Sequence, residues 1–425
     1  MNILMGLVRS KITAVLIGPM GVGFSSLMNT VVGFLSNMTN FGISFSAVKG
    51  ISEYGENDKE GRDRAIAVVR TWSLIAAAFG FCVTIIGAPL INQFTFSWGN
   101  HTLHYLMLAP VVALTALTGG ETAILKGTRR MRSLALVQFF IVLLSIIITI
   151  PIYYYWGVRG IVPVLNICAM AAFLVTTHYS FRYYPFHLKG IRNYVKEGVP
   201  MVRLGLAFIV AGVVGSGVEV YIRVFLNMLG DLDTVGLYYA AFTMAITYPS
   251  TLLNSLENDY FSRLSAVCNQ KDEMRNTVNA QIEVLLMVMV PVIAVMLIAL
   301  PIFVPLLFSS KFNGAIPMAQ ITLLAMFIRT VILPAEYIIL AKGKAKMYCC
   351  TEALWGVLTI VFLTIGYSYN GLLGMGFGWV AEYIAELVIV FGYFYYKWDY
   401  LPSKKAVAFF ISGAVLLTGI YLLCA

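Results

Sequence analysis

Residues 133–153 read SLALVQFFIVLLSIIITIPIY, without one Asp, Glu, Lys or Arg. A helix that crosses a bilayer needs about 20 mostly apolar residues. The run is continuous, so it does not match the short alternating strands of a membrane barrel. Only helices and closed barrels satisfy the backbone in lipid, which leaves the helix. Tyr153, Tyr154, Tyr155 and Trp156 close the run, as aromatic residues do at a membrane–water interface. Tyr393, Tyr395, Tyr396 and Trp398 form a second such cluster.

Working outward, the same reading applies to the whole chain. Thirteen apolar segments are expected as spans: 2–17, 22–47, 65–92, 103–125, 133–153, 160–181, 204–229, 235–260, 280–308, 317–341, 347–368, 372–396 and 406–424. Of 425 residues, 60% are hydrophobic and 12% charged, and the mean hydropathy is +0.83. A soluble domain carries about 25% charged residues, so soluble globular and disordered classes are excluded. The fold class is an all-α polytopic membrane protein.

The net charge of +9 would suggest nucleic acid on a soluble protein. Here the positions of the cations argue for topology, and no nucleic-acid partner is expected. Of 29 Lys and Arg, 22 fall in loops after even-numbered spans, and only Arg159 and Lys311 follow odd-numbered ones. The positive-inside rule then places the amino terminus in the cytoplasm. The five remaining cations, Arg9, Lys11, Arg70, Arg223 and Arg329, lie within or at the edge of spans. No loop is long enough for a water-soluble catalytic domain. Met1 opens directly into the first span, with no cleavage signal. That span is short, about sixteen residues or ~24 Å by helical rise, and reads as truncated or late-started.

Landmarks recur at a nearly constant offset. Gly18 matches Gly230 at 212, Gly23 matches Gly236 at 213, and Pro89 matches Pro301 at 212. Lys126-Gly127 matches Lys342-Gly343 at 216, and Gly157 and Gly160 match Gly371 and Gly374 at 214. Two six-span repeats of parallel orientation follow, and transporter substrates bind at repeat interfaces. The expected organisation is an amino-terminal lobe 1–183, an in-plane linker helix 184–202 carrying Phe186, Leu188, Ile191, Tyr194 and Val195, a carboxyl-terminal lobe 203–397, and an extra transmembrane helix 398–425.

Charges inside a membrane are costly and are functional candidates by default. Arg223 precedes Gly230 by seven residues, about 10 Å along a helix, and Glu219 lies four residues earlier on its face. Lys11 precedes Gly18 by the same seven residues. Arg9 lies about 200° round the helix from Lys11, so one of the two is expected to face a cleft. Arg329 is central in the tenth span, with Glu336 at i+7; Glu121 occupies nearly the same place in the fourth span. Arg70 reads as cavity-lining or interfacial. Glu382 and Glu386 share a face of the twelfth span and read equally as a proton or Na⁺ site or as charge balance. Arg suits phosphate by bidentate hydrogen bonds and Lys as a point charge, so Arg9, Lys11, Arg70, Arg223 and Arg329 are the expected substrate-binding cations, for an anionic cargo. Glu121, Glu219, Glu336, Glu382 and Glu386 are expected to couple an ion or balance charge.

The six cysteines form no C-x-x-C pair and read as free, buried thiols; with His101, His104, His178 and His187 they show no ligand spacing, so no metal and no cofactor are expected.

Four stretches carry a resemblance. They are Arg9-Ser10-Lys11 through Ile17-Gly18-Pro19-Met20-Gly21-Val22-Gly23; Gly42-Ile43-Ser44 through Val48-Lys49 and Glu53; Arg223 through Leu229-Gly230 and Val235-Gly236-Leu237-Tyr238; and Leu307-Phe308-Ser309-Ser310-Lys311-Phe312 leading to Leu340-Ala341-Lys342-Gly343. The chain resembles the Wzx-type lipid-linked oligosaccharide flippases, in the MOP superfamily that also holds the MATE drug exporters and the lipid II flippase. The resemblance implies a V-shaped pair of six-helix lobes around a central cationic cavity. It implies alternating access that carries undecaprenyl-pyrophosphate-linked glycan, such as an O-antigen repeat unit, to the outer leaflet of a bacterial inner membrane. It implies cavity cations at Arg9, Arg223 and Arg329, coupling to Na⁺ or H⁺, and polysaccharide-assembly membrane proteins as partners. Two departures stand out. The family's first helix usually starts earlier, and an acidic residue often precedes the seventh-span Arg where this chain has Ile222.

A MATE-like antiporter of cationic drugs is the alternative. It would need acidic residues dominating the amino-terminal lobe, where Glu121 is the one acidic candidate within the spans. A membrane glycan polymerase or ligase would need a large outer loop, and the sequence offers none.

Overall fold

The run 133–153 lies inside a helix, α5 (Met131–Trp156), in a computed structural model that describes residues 2–54, 58–96, 100–186 and 191–424. His187, Leu188 and Lys189 of the expected linker lie outside the described residues. The expected spans fall on helix, except that 22–47 breaks at residues 40–42, where Phe41 and Gly42 take positive φ; the described residues contain no strand. The helices are α1 (Asn2–Thr39), α2 (Ile43–Ser52), α3 (Lys59–Thr95), α4 (Thr102–Gly127), α5, α6 (Ile161–Tyr183), α7 (Ile191–Leu229), α8 (Leu232–Phe242), α9 (Tyr248–Val267), α10 (Lys271–Leu307), α11 (Ile316–Ala341), α12 (Ala345–Trp398) and α13 (Lys404–Cys424).

Nine described stretches are long and apolar enough to cross a membrane, so the protein is multi-pass. Three of them carry two expected spans each: 6–39, 131–183 and 346–398. The backbone turns sharply inside these stretches, at Gly18 in α1 and at Asn370-Gly371 in α12. The expected eighth span is helical through α8, a π-turn at 243–247 and α9. It is not among the nine described stretches.

Gly157, between α5 and α6, has φ 53° and ψ −132°. Gly371, its counterpart at the 214-residue offset, has φ 53° and ψ −139°. Side chains other than glycine strongly avoid this backbone conformation, so the same reversal is built twice from the same residue type.

Contacts divide the chain into two compact units, with the boundary between Val235 and Gly236. In unit 1, α3 packs on α4, α4 on α2 and α6, and α7 on α1, α2 and α3. Ala76, Ala77, Ala116 and Ala123 sit in the α2–α3–α4 core beside Ile43, Ile51, Ile66 and Val69, and small residues let membrane helices approach closely. Residues 191–202 of the expected linker form the first turns of α7. There Trp72 Nε1 donates to Val195 O, and Arg64 grips Glu197 through two hydrogen bonds. That guanidinium holds the Glu197 carboxyl below its ordinary range.

In unit 2, α11 packs on α12 and α10, and α13 packs on α10 and α11. The last helix is tethered at its start. Tyr400 Oη donates to Asn279 Oδ1 at 3.1 Å, and Lys405 Nζ to Glu283 Oε2 at 2.7 Å. Lys271 bonds Asp399 and keeps that carboxyl below its ordinary range.

Two expectations are corrected at the surface. Cys82 and Cys350 are exposed rather than buried, because they lie on apolar helix faces that need no cover in lipid. Tyr153 leaves its aromatic belt and is buried, while Tyr154, Tyr155 and Trp156 stay exposed.

Candidate functional site: charged groups within the helices

Four of the five embedded cations belong to unit 1. Arg223, on α7, is 3% exposed. Its Nε donates to Ser26 Oγ at 2.9 Å, and its Nη1 to Glu219 Oε2 at 3.2 Å and to Glu219 O at 3.1 Å. Glu219 therefore takes the place of the acid missing at Ile222. One turn further, Asn227 Nδ2 donates to Thr95 O, which fixes α7 against the end of α3.

Arg70, on α3, is buried. Nε and Nη2 grip both oxygens of Glu121 at 2.8 and 3.1 Å, while Nη2 and Nη1 donate to the carbonyls of Tyr184 and Pro185 at 2.8 and 3.1 Å. The guanidinium also lies 4.6 Å from the Phe181 ring centroid, and Ser180 donates to Glu121. This net-neutral, well-bonded pair braces α3, α4 and the end of α6. A cavity of about 730 Å³ opens beside it, lined in part by Arg62, Tyr184 and Glu197.

Arg9, on α1, is half-buried, and among the described residues it forms no ion pair. It lies close enough to act electrostatically on Tyr153 of α5 and Cys168 of α6. Lys11, two residues on, is also half-buried and has interactions of its own. An embedded guanidinium without an acidic partner keeps its attraction for a mobile anion.

Unit 2 holds the reverse imbalance. Arg329, on α11, donates through Nη1 to Glu386 Oε1 at 2.9 Å and through Nη2 to Glu336 Oε2 at 3.0 Å. Glu382, one turn before Glu386 on α12, is fully buried, and among the described residues neither of its oxygens has a hydrogen-bond partner. Glu386 Oε2 is also unpartnered. One guanidinium thus faces three carboxyl groups. A cavity of about 40 Å³ borders Glu336 and Glu386, enough room for a water molecule.

A buried carboxylate without a partner is expensive, so Glu382 suits a proton or a small cation. Glu382→Gln is expected to leave the thermal midpoint in detergent at pH 8 unchanged or raised. Glu386→Gln, which strips Arg329 of a charged bond, is expected to cost about 1.5–3 kcal/mol. Thermal unfolding of the two variants side by side checks the contrast.

His101 and His104 face each other, Nδ1 to Nδ1 at 3.4 Å, against Phe24 and Phe96. Burial holds the His101 imidazole below its ordinary range, and His104 adds to that.

Sequence comparison decides what these groups belong to. Residues 12–317 match the model of the polysaccharide biosynthesis protein family. The chain belongs to that family. The match begins at Ile12, just after Lys11, takes in Arg70, Glu121 and Arg223, and ends at Pro317 in the first turn of α11. No curated protein sequence matches. Among solved structures, an inward-facing multidrug resistance MATE family transporter of the MOP superfamily is similar with TM-score 0.69 and 15% identity, over 100% of this chain and 96% of that one. A MOP superfamily transporter from Pyrococcus furiosus, described by a binding pocket of reverse polarity, gives 0.66 and 14%, over 99% and 93%. The lipid II flippase MurJ in an inward closed conformation gives 0.66 and 14%, over 99% and 91%. This polysaccharide biosynthesis protein thus has a fold like that of the MATE and MOP transporters of solved structure.

The sequence did not point to Ser26, nor to the Tyr184 and Pro185 carbonyls. They lie 197, 114 and 115 residues from the arginines they satisfy, and no local spacing announces them.

Proposed function

We propose that the protein moves an undecaprenyl-pyrophosphate-linked oligosaccharide from the inner to the outer leaflet of a bacterial inner membrane by alternating access. Its amino terminus is cytoplasmic in this reading, and polysaccharide-assembly membrane proteins supply and receive the cargo. Arg9 carries the proposal. Among the described residues it is the embedded arginine that forms no ion pair with a protein acid, so a pyrophosphate is its natural counter-charge. Lys11 and Arg223 of unit 1 and Arg329 of unit 2 are the further cations proposed to attract the cargo. Arg223 and Arg329 are already held by glutamates, and engaging cargo means exchanging those partners. Arg70, locked to Glu121, acts as a brace. Glu382 and Glu386 take the coupling ion, H⁺ or Na⁺.

The unit 2 carboxyls also suit a cation-coupled antiporter of organic cations. Proteoliposomes separate the two readings. The flippase reading expects movement of labelled lipid-pyrophosphate glycan and no efflux of a fluorescent organic cation. Efflux of the dye without lipid movement would replace it.

A further inference from the structure

Unit 1 contains a cavity that none of the ion pairs above occupies. It has a volume of about 380 Å³ and is bounded by α2, α4 and α6. From α4 it is lined by Thr115, Thr118, Thr122 and Lys126, and from α2 by Ser44. The α4 residues follow at intervals of three, four and four, so they share one helix face. A Cβ on Gly119 would lie 3.1 Å from Ser44 Oγ, so the missing side chain leaves the groove its width at that level.

The hydroxyl chemistry has a direction. Thr115 Oγ1 donates to Val111 O at 2.8 Å and Thr118 Oγ1 to Leu114 O at 2.7 Å. With those protons committed to the backbone, the oxygens offer the cavity lone pairs. Two such acceptors about one turn apart suit a ligand with O–H donors. Lys126 adds an ammonium for an acidic or phosphorylated group at one end. A lipid tail would use none of these polar groups.

We propose that this groove is a sugar subsite inside unit 1, where Ser44, Thr115, Thr118 and Thr122 accept hydrogen bonds from glycan hydroxyls and Lys126 takes an anionic substituent. The assignment rests on the flippase reading and adds a recognition surface for the glycan, separate from the arginines proposed for the pyrophosphate.

The test compares binding of two probes to the full-length protein in nanodiscs: undecaprenyl pyrophosphate, and undecaprenyl pyrophosphate carrying N-acetylglucosamine. The wild type is expected to bind the sugar-bearing lipid more tightly. The isosteric double variant Thr118→Val/Thr122→Val should lose about tenfold for that lipid, from two hydrogen bonds at the usual net strength, and nothing for the bare lipid. Thr118→Ser/Thr122→Ser, which keeps the hydroxyls, should restore the preference, and this guards against a folding artefact. An unchanged sugar preference in the valine variant, or an equal loss for both lipids, overturns the subsite and leaves the flippase reading standing. Failure of the wild type to bind either lipid overturns both.

Discussion

Arg9→Ala is expected to reduce transport of lipid-pyrophosphate glycan by about tenfold to a hundredfold, the worth of one or two charge-assisted hydrogen bonds to phosphate. The same change should leave thermal stability nearly untouched. Among the described residues Arg9 forms no ion pair that its removal could break, and its side chain is half-buried. Arg9→Lys is expected to recover part of the activity, because Lys keeps the charge but loses the bidentate fork. Initial rates in proteoliposomes, paired with melting curves, measure both effects. A fall in stability as large as the fall in rate would make Arg9 a structural group and remove the main support for an anionic cargo.

Arg70→Ala should behave in the opposite way. Removing one partner of a buried ion pair typically costs about 3–5 kcal/mol, because the other charge is left uncompensated. Here the loss falls on Glu121, which would keep only Ser180 of the partners described, and on the Tyr184 and Pro185 carbonyls. The double change Arg70→Met/Glu121→Leu is expected to regain most of that stability, since an apolar pair of similar volume often replaces a buried ion pair without loss. Chemical unfolding in detergent reads the difference. An Arg70→Ala variant as stable as wild type would show that water or lipid already solvates Glu121.

These cases show how much the sequence reveals. The spans were legible because lipid demands apolar length, and the run 133–153 has it without interruption. The helix reversals at Gly157 and Gly371 were legible as recurring landmarks, and both prove to have φ 53°. The eighth span was legible as helix, which the structure forms as α8, a π-turn and α9. Proximity within one helix was readable too, as with Glu219 and Arg223 four residues apart.

What could not be read was commitment across helices. Arg70 and Arg9 look alike in sequence, each a cation inside an expected span, 65–92 or 2–17, that contains no acidic residue. Only packing brings Glu121, 51 residues away, onto one and not the other. Likewise Glu382 and Glu386 share a face, yet Arg329 hydrogen-bonds Glu386, while Glu382 has no hydrogen-bond partner among the described residues. The threonines at 115, 118 and 122 fit a helical period, but threonine in a membrane helix is ordinary until a cavity opens beside it.

The central claim is that this chain moves a lipid-linked pyrophosphate glycan between leaflets. The most direct measurement reconstitutes the purified protein into liposomes with a labelled undecaprenyl-pyrophosphate glycan and follows its exposure to an impermeant enzyme outside, with and without a proton or sodium gradient. The account predicts exposure that depends on the protein and the gradient, and that falls sharply in Arg223→Ala and Arg329→Ala. No exposure with folded wild-type protein, or exposure unchanged in both variants, would contradict it.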